Sequence, residues 1–398
     1  MNRRDFIVGA SSATLFTAAS YGRILGSNDR LGIALVGCGR RGRWVLDKMM
    51  KTQRITPIVF CDVWNEPMKK GINQLGLGKI PMVYDLEEVL SNAKVDAVLL
   101  ATPDHLHTQY ASRILKAKKH LYLEKPVTLH FEEGSSLEAF VNESGMLCQT
   151  GTQQRSGAHY QRVKEEFFGG SDRLGDILFV RSAWSDFGWQ RRVIDPRSKP
   201  KNFNWETFLG PAPKIPYEWS RYDAWRNYKE YGAGILSDLL THWGDVAQWM
   251  MDDHNPKSAV TVGGIYHLKD GRSNPDTVNT IIQYEGGWNF TFECSVLPVK
   301  NQKDSVLFHG TKAKLEVFRA GYIYTPHGQS PIHVENTTSL DDQHVANFLN
   351  ALTKGEALNA PVSVGLQAVK PSHLATSAYW SGKRMTFNSA QTEIIEQG

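Results

Sequence analysis

The chain has 398 residues, a length that predicts two domains rather than one. Hydrophobic residues make up 41% of it and aromatic residues 11%, a composition that supports a large packed core and argues against disorder. The net charge is only +4, with Lys and Arg spread along the chain, so we expect no nucleic-acid partner. No apolar run is long enough to cross a membrane as a helix.

The first 30 residues differ in kind from the rest. Arg3 and Arg4 precede a mildly apolar run from Val8 to Ser20 that ends in small residues. This pattern predicts a signal peptide, and the paired arginines resemble a twin-arginine export signal. We therefore expect residues 1–30 to be signal peptide and linker, the twin-arginine export machinery to be a partner, and the protein to be periplasmic or otherwise exported. A cytosolic protein with a frayed basic start is the alternative.

A buried strand and a glycine-rich turn follow. Residues 31–36 form an apolar run that leads into Gly37, Gly39 and Gly42 and then into a helical pattern. In this strand–turn–helix context the spacing is typical of a dinucleotide-binding fingerprint. Gly37 permits the tight turn, Gly39 lets the backbone approach a pyrophosphate, and Gly42 lets helix and strand pack closely. The phosphates would sit on the free N–H groups of the helix N-terminus.

The residues around this loop predict which dinucleotide it binds. A second apolar run ends at Asp62, about 20 residues further on, where a carboxylate can bind the adenosine ribose and repel a 2′-phosphate. This favours NAD. Arg40 and Arg41 could partner such a phosphate, which leaves NADP open as the alternative. The cofactor contacts predicted in this region are therefore Gly37, Cys38, Gly39, Arg40, Arg41, Gly42 and Asp62.

The first half of the chain alternates strand and helix. Strands are predicted at 55–60, 95–101, 120–124 and 146–150, and helices at 108–117 and 131–144. Strands separated by helices indicate βαβ units. We therefore predict an α/β fold whose first domain, residues 31–150, is a Rossmann domain with a doubly wound parallel sheet.

After residue 150 the pattern becomes α+β. Strands are predicted at 177–184, 259–267, 276–284, 288–296, 305–310 and 314–318, with a single helix at 234–251. A Trp- and Pro-rich insert at 187–226 is expected to be a long ordered loop over the cleft. We expect residues 151–340 to form a substrate-binding domain with an open, largely antiparallel sheet. Residues 341–398 are expected to supply helices, at 344–352 and 364–380, that brace the two domains.

Two loops at the carboxyl ends of parallel strands are expected to line the cofactor cleft. In the first, Thr102 and His107 are candidate cofactor contacts, although a loop histidine is often only a helix cap. The second begins with Glu124 and Lys125, both predicted to contact the cofactor. The Lys125 ammonium could also stabilise a developing alkoxide or tune a neighbouring base. A solvated lysine beside a turn proline is the structural alternative.

A third element lies on the predicted helix of the second domain. Asp238 and His242 are four residues apart, so a helix would project them from one face. A histidine can take a hydroxyl proton as hydride leaves the same carbon, and the carboxylate can orient it or bind an adjacent hydroxyl. Such a pair is also common as a structural hydrogen bond. No disulfide is predicted, because four cysteines are few for a disulfide scaffold and lie in the glycine loop or in strand-like runs. No metal site is predicted, because no pair of cysteines has metal-ligand spacing and the paired histidines of the first loop have no evident third ligand.

In order and spacing, the glycine loop, Thr102-Pro103, Glu124-Lys125-Pro126 and Asp238-x-x-x-His242 resemble the Gfo/Idh/MocA oxidoreductase family, whose members include glucose–fructose oxidoreductase and inositol dehydrogenase. The resemblance implies NAD(P)-dependent oxidation or reduction of sugars, inositols and their derivatives. It also implies an open sheet that often serves for oligomerisation, so a homo-oligomer through the C-terminal sheet is expected. Lys125 takes the place of the family's catalytic lysine, Asp238 that of its substrate-binding aspartate, and His242 that of its catalytic histidine. The export signal departs from most members, although some are exported.

The function expected from these features is hydride transfer to or from a hydroxyl carbon of a sugar, polyol or sugar derivative. His242 would take the hydroxyl proton, Lys125 would polarise the oxygen, and Asp238 would hold a neighbouring hydroxyl. Free NAD is expected to be scarce outside the cytoplasm. A captive cofactor, recycled in sugar transhydrogenation or in redox-neutral glycoside hydrolysis, is therefore the first alternative, and a non-catalytic sugar-binding protein is the second. Flat faces for sugar stacking are expected from Trp184, Trp189, Trp205, Trp219 and Trp225.

Overall fold

The computed structural model describes residues 30–185, 197–297 and 304–398. Two separate sheets organise this part of the chain. The predicted signal peptide lies outside the described residues. None of the described helices is both long and apolar enough to span a bilayer.

The N-terminal sheet has six parallel strands in the order β3-β2-β1-β4-β5-β6. They are β1 (Leu31–Val36), β2 (Ile55–Cys61), β3 (Met82–Val83), β4 (Ala97–Leu100), β5 (His120–Leu123) and β6 (Cys148–Thr150). All six residues of β1 are buried, which explains its unbroken apolar sequence. This strand order is that of a doubly wound dinucleotide-binding sheet, so the predicted fold of the first domain is confirmed.

Five helices accompany this sheet. They are α1 (Arg40–Lys51), α2 (Asn65–Gln74), α3 (Leu86–Leu90), α4 (His107–Lys116) and α5 (Glu133–Ser144). The apolar stripe of α1, which includes Val45, Leu46 and Met49, packs into the core beside β1. Helices α2 and α3 were not predicted, because each buries only two or three residues and shows little periodicity.

The second sheet has ten strands in the order β14-β13-β12-β11-β7-β10-β9-β8-β15-β16. They are β7 (Ile177–Ser185), β8 (Pro256–Gly264), β9 (Thr277–Tyr284), β10 (Asn289–Ser295), β11 (Ser305–Gly310), β12 (Ala313–Phe318), β13 (Gly321–Pro326), β14 (Ile332–Glu335), β15 (Met385–Phe387) and β16 (Ile394–Glu396). Only β7 and β10 pair in parallel within this described sheet. The expectation of an open, largely antiparallel sheet is therefore confirmed.

Seven further α-helices follow β6 in the described parts of the chain. They are α6 (Ala158–Val163), α7 (Trp205–Leu209), α8 (Trp219–Asp223), α9 (Ile235–Asp238), α10 (Leu240–Met251), α11 (Leu340–Lys354) and α12 (Val362–Ser381). Helices α10 and α12 pack against each other and against the large sheet, and Trp243 of α10 is fully buried in the shared core with Phe290 and Phe292.

The single helix predicted at 234–251 is wrong in one respect, because α9 and α10 are separated at Leu239. Lys125 Nζ donates to the Asp238 carbonyl oxygen at 2.9 Å. In a continuous helix that carbonyl would accept the His242 N–H, which instead donates to Leu239 at 3.2 Å. The helix break therefore coincides with a hydrogen bond from Lys125 of the Rossmann domain.

The helices of the segment 341–398 contact both domains, and α12 contributes Val362 and Val369 to the core of the Rossmann domain. Helix α11 joins the core of the Rossmann domain through Val345, Phe348 and Leu349. Helix α12 packs mainly on the second domain, and the chain ends in β15 and β16, which extend the large sheet and were not predicted.

The described part of the insert at 187–226 holds two short helices rather than a loop alone. Phe203, Trp205 and Phe208 form a separate hydrophobic cluster with Tyr228 and Tyr231. The insert also touches the Rossmann domain, because the Asn204 N–H donates to the Val63 carbonyl at 2.8 Å. The end of the insert, with Trp225 and Arg226, therefore lies beside the cleft.

Candidate active site

A cavity of about 1090 Å³ opens between the carboxyl ends of the parallel strands and the second domain. The Rossmann domain contributes the glycine loop and the loops after β4 and β5 to its wall. The second domain contributes α9, α10, the end of β7 and the turn between β12 and β13. Elements that are far apart in sequence thus meet at one edge of the doubly wound sheet, where ligands of such folds bind.

The glycine loop has the shape that a pyrophosphate requires. Gly37 has φ +83°, and a Cβ there would lie 2.6 Å from the Ala101 carbonyl carbon. A Cβ on Gly42 would lie 2.4 Å from the Gly37 carbonyl oxygen, so only glycine permits this approach of helix and strand. Gly39 has no described atom within 4 Å of an added Cβ, and no described side chain caps the α1 N-terminus that follows it. The residues present therefore fit a dinucleotide whose phosphates bind the free N–H groups of α1.

Asp62 lies on the cavity wall at the end of β2. Its carboxylate accepts the Cys38 N–H at 2.7 Å and the Trp64 N–H at 3.2 Å. Burial raises the pKa of Asp62 to about 6, against the opposing effect of these backbone N–H groups. The Cys38 side chain is buried and does not line the cavity, so its part in the loop is through the backbone. Arg43, which the sequence analysis did not single out, lines the cavity and donates to the Cys38 carbonyl at 2.6 Å.

The two predicted arginines of the loop have different environments. Arg40 is exposed on the cavity wall. Arg41 bonds to Glu124 Oε1 through Nε at 2.7 Å and to Asp341 Oδ1 through Nη2 at 2.8 Å. The guanidinium therefore ties α1 to the loop after β5 and to α11, and its charge is already balanced by two carboxylates. This pairing leaves Arg41 poorly suited to a 2′-phosphate.

His107 is placed behind the cavity wall, whereas Thr102 lines it. The His107 ring is buried, with Nδ1 at 2.7 Å from the Pro126 carbonyl oxygen and Nε2 at 3.0 Å from the Thr102 carbonyl oxygen. Burial lowers the pKa of His107 to about 4, although the two carbonyls oppose this. The predicted contact with the cofactor is thus replaced by a link between the two loops that line the cleft. Among the described residues no cluster of His, Cys, Asp and Glu has the arrangement of a metal site.

Lys125 and Asp238 meet across the domain boundary. Lys125 Nζ lies 2.5 Å from Asp238 Oδ1, and the exposed fractions of the two side chains are 11% and 9%. Burial alone would raise the pKa of Asp238, but the charges of Lys125 and Arg226 hold it below its usual value. The carboxylate is therefore ionised, and its second oxygen lies 3.7 Å from Arg226 Nε.

His242 faces the same cavity from α10. Its Nδ1 lies 3.1 Å from Gln154 Oε1, and its ring centroid lies 5.9 Å from that of Trp184. With the amide oxygen as acceptor, Nδ1 carries the hydrogen and Nε2 is the basic nitrogen. Burial lowers the pKa of His242 well below its usual value, and the charges of Lys125 and Arg319 lower it further. A neutral imidazole is thus available to accept a proton.

Several residues of the site were missed at the sequence level. Asp104 is buried on the cavity wall, and burial and the charge of Asp238 raise its pKa well above the usual value. Arg226 and Arg319 also line the cavity, at the end of the insert and in the turn after β12. The position of Asp104 in the loop after β4 could have drawn attention to it. The two arginines carry no local pattern that would have done so.

The tryptophans proposed for sugar stacking are divided by the structure. Trp184 and Trp225 line the cavity. Trp205 belongs to the hydrophobic cluster of the insert, and Trp219 packs edge-on against Trp64 with ring centroids 5.6 Å apart. Trp189 lies outside the described residues. Two of the five residues are therefore placed where they can contact a substrate.

Comparison with known proteins agrees with this architecture. A family model described as an oxidoreductase family with an NAD-binding Rossmann fold, GFO/IDH/MocA, matches residues 31–152, and the GFO/IDH/MocA C-terminal domain matches residues 170–316. The chain belongs to the GFO/IDH/MocA oxidoreductase family. The predictions of a Rossmann cofactor domain, of NAD as cofactor and of an oxidoreductase are thus confirmed.

Individual members of the family are distant from this chain. Oxidoreductase P35 of Formosa agariphila is 26% identical over 264 residues, which cover 63% of this chain and 70% of the relative. Myo-inositol 2-dehydrogenase of Thermotoga maritima is 24% identical over 287 residues, 72% of each chain. The solved structure of the WlbA dehydrogenase from Bordetella pertussis, in complex with NADH and UDP-GlcNAcA, superposes with a TM-score of 0.68 at 19% identity and covers 90% of this chain and 99% of that one. This last similarity concerns the fold alone.

Proposed function

We propose that this GFO/IDH/MocA protein transfers hydride between NAD and a hydroxyl carbon of a sugar, polyol or sugar derivative. The observation that carries the proposal is the Lys125–Asp238 ion pair beside a neutral His242, on the wall of the cavity that the glycine loop also lines. The relative from Thermotoga maritima, a myo-inositol 2-dehydrogenase, supports a polyol substrate.

Each of the three side chains has a free atom suited to one part of this reaction. When bound, the nicotinamide cofactor supplies the hydride acceptor or donor. An ammonium group has three hydrogens, and Lys125 uses two on the Asp238 carboxylate and carbonyl, so the third can bind the reacting oxygen of the substrate. The ionised Asp238 can accept a neighbouring hydroxyl, and His242 Nε2 can take the hydroxyl proton during oxidation.

NAD is preferred over NADP in this proposal because of the charges around the adenosine end. The Asp62 carboxylate on the cavity wall could accept hydrogen bonds from the adenosine ribose and would repel a 2′-phosphate. Arg41, which could have neutralised such a phosphate, is held by Glu124 and Asp341. Arg40 and Arg43 also line the cavity, and their positive charges would weaken the preference for NAD over NADP.

The test begins with the purified full chain, denatured and examined by mass spectrometry for released cofactor. The protein is then assayed at 340 nm with NAD and a panel of inositols, hexoses and glycosides. Reduction of added NAD by the wild type, and its loss in His242→Ala, are expected. A stoichiometric captive cofactor with sugar-dependent but redox-neutral turnover would support transhydrogenation or glycoside hydrolysis instead. Failure to bind NAD at all would overturn the proposal and leave a sugar-binding protein.

We also propose that the protein is exported through the twin-arginine pathway, on the strength of Arg3, Arg4 and the mild apolar run after them. Cell fractionation of the full chain tests this. The wild type is expected outside the cytoplasm and the Arg3→Lys/Arg4→Lys variant inside it. Equal fractions for the two proteins would contradict the proposal.

A homo-oligomer is proposed through the outer face of the ten-stranded sheet. Val260 and Ile281 are paired across β8 and β9, and with Val262, 65% exposed, they form an apolar patch on that face. Light scattering is expected to show an oligomer for the wild type and a monomer for Val262→Lys. A monomeric wild type would contradict the proposal.

A further inference from the structure

We propose that Arg319 binds an anionic group, a carboxylate or phosphate, on the substrate, so that the protein acts on acidic sugars. The inference rests on the function proposed above and names the substrate class of the same site. It is carried by an arginine at the catalytic end of the cavity that has no carboxylate partner among the described residues.

The backbone around Arg319 is fixed and directs this side chain to the cavity. The residue lies in the turn between β12 and β13, where His159 Nε2 bonds to the Phe318 carbonyl at 3.0 Å and Asn336 Nδ2 donates to the Arg319 carbonyl at 3.4 Å. The guanidinium carbon lies 5.2 Å from the ring centroid of Trp184. Trp184 in turn packs beside His242, so the cation is close to the proposed catalytic base.

Three other arginines that are buried or half-buried already have carboxylate partners. Arg41 bonds to two carboxylates, Arg155 forks onto Asp245 with a shortest distance of 2.7 Å, and Arg272 pairs with Asp270 at 2.8 Å. The Nε atom of Arg319 is buried and has no hydrogen-bond partner in the described parts of the chain. A partly desolvated guanidinium without an acceptor is costly, and an anionic ligand would supply the missing acceptors in a bidentate geometry.

The charge around the proposed reaction centre also favours an anion. Lys125, Arg226 and Arg319 contribute three positive charges to this end of the cavity. Asp238 balances one of them, while burial and the charge of Asp238 raise the pKa of Asp104 well above its usual value, which disfavours a second negative charge there. A substrate with one negative charge would therefore meet a complementary potential.

The pyrophosphate of the cofactor is the competing partner for Arg319. The phosphate-binding N–H groups lie at the start of α1, beside Arg41 and Asp341. Asp341 contacts Arg41 and Trp44, not Arg319. The Arg319 guanidinium lies over Trp184, and its charge acts on His242 at the substrate end as well as on Asp341 beside Arg41. Cofactor affinity is therefore measured in the test, since it separates the two assignments.

The experiment uses the full chain saturated with NADH, so that no hydroxyl oxidation occurs during the measurement. Calorimetric titrations compare D-glucuronate and D-galacturonate with their uncharged amides, and D-glucose 6-phosphate with D-glucose. The variants are Arg319→Met, which keeps the apolar stem, and Arg319→Lys, which keeps the charge. Arg173→Met is the matched control, because Arg173 also stacks on an aromatic ring, Phe167 at 5.1 Å, but does not line the cavity.

At least one anionic sugar is expected to bind the wild type more tightly than its neutral partner. Arg319→Met is expected to lose about 10²-fold in affinity for that anion, with little change for the neutral partner or NADH, and Arg319→Lys to fall between. Arg173→Met should match the wild type. Comparison of the uronates with D-glucose 6-phosphate shows whether the site binds a carboxylate or a phosphate. If Arg319→Met does not fold, the Arg319→Lys result decides.

Equal binding of charged and neutral sugars, no binding of any anion at millimolar concentration, or a loss confined to NADH would each overturn the assignment. The failure of the proposed function is recognised separately. Anion binding that depends on Arg319 without hydride transfer would refute the dehydrogenase and leave the anion site. Hydride transfer from neutral polyols without any preference for anions would refute the anion site and leave the dehydrogenase.

Discussion

Lys125 holds Asp238 at two points, with Nζ at 2.5 Å from the carboxylate oxygen Oδ1 and 2.9 Å from the carbonyl oxygen. The lysine belongs to the loop after β5 of the Rossmann domain, and the aspartate ends α9 of the second domain. One ammonium group therefore joins the domains, accompanies the break before α10 and lies in the cavity beside His242. The catalytic role proposed for this pair and its structural role therefore coincide.

Lys125→Met separates the two roles. The variant is expected to lose about 10²- to 10³-fold in kcat/KM, because the ammonium that polarises the substrate oxygen is gone. It should also lose about 2–3 kcal/mol of unfolding free energy, because Asp238 remains buried without its main partner. The double variant Lys125→Met/Asp238→Asn is the control and should recover stability but not activity. Recovery of activity as well would show that the pair is only structural.

The pH dependence of catalysis tests the state of His242. Because its pKa is held well below the usual 6.5, the base stays neutral as the pH falls from about 8 to about 6. Protonation of His242 should therefore not change kcat/KM over that range. Arg319→Met removes a neighbouring cation, so it should move the acidic limb to higher pH. An acidic limb near 6.5 in the wild type, or no shift in the variant, would contradict this account.

Asp62 is expected to set the preference for NADH over NADPH. Asp62→Ser should lower the NADPH/NADH ratio of dissociation constants by about 10- to 100-fold, because the like charge that repels a 2′-phosphate is removed. With its pKa raised to about 6, the carboxyl becomes neutral below that pH, so the wild-type preference should also weaken there. Fluorescence titrations give both ratios. Asp47→Ser, on the same cavity wall but paired with Lys51, is the control that should change neither.

Stability is expected to fall as the pH drops below about 6.5, the usual histidine pKa. Burial lowers the pKa to about 4 or about 3 in four histidines: His105, His107, His344 and His373. The unfolded chain binds these protons first, so each group costs about 1.4 kcal/mol per pH unit between the two pKa values. Buried carboxyls with raised pKa values, such as Asp62, act in the opposite direction but are fewer among the described residues.

Urea midpoints measured from about pH 8 to about pH 5 test this linkage. The midpoint should decrease toward low pH, and His373→Gln should reduce the slope by up to one proton. A midpoint that rises on acidification, or a slope that the variant leaves unchanged, would show that these histidines titrate normally in the folded chain.

The Rossmann domain could be predicted because its signals are local and strong. β1 is buried on both faces, so its sequence is apolar throughout, and Gly37 and Gly42 are required by backbone contacts that no other residue permits. The strands β13 to β16 were missed because they are short or only partly buried, and such strands lack a clear alternation.

The candidate site was predictable only in part, since its geometry depends on contacts between the domains. Periodicity indicated one helix through Asp238 and His242, whereas the bond from Lys125 to the Asp238 carbonyl accompanies its division into two. Thr102 lies in the loop after β4 and His107 begins α4, yet only Thr102 lines the cavity, because the His107 ring is held by two carbonyls. The position of Arg319 follows from the pairing of β12 with β13, which no local pattern of the sequence indicates.

Transfer of deuterium from a substrate carbon to the cofactor would demonstrate hydride transfer at this site. The full chain is mixed with NAD and polyols or sugars, neutral and acidic, that carry deuterium on their hydroxyl-bearing carbons, then denatured, and the cofactor is weighed by mass spectrometry. Reduced cofactor one mass unit heavier is expected with the wild type, none with His242→Ala, and about 10²- to 10³-fold slower formation with Lys125→Met. Cofactor that binds but gains no deuterium from any substrate would contradict the assignment of this cavity as a dehydrogenase site.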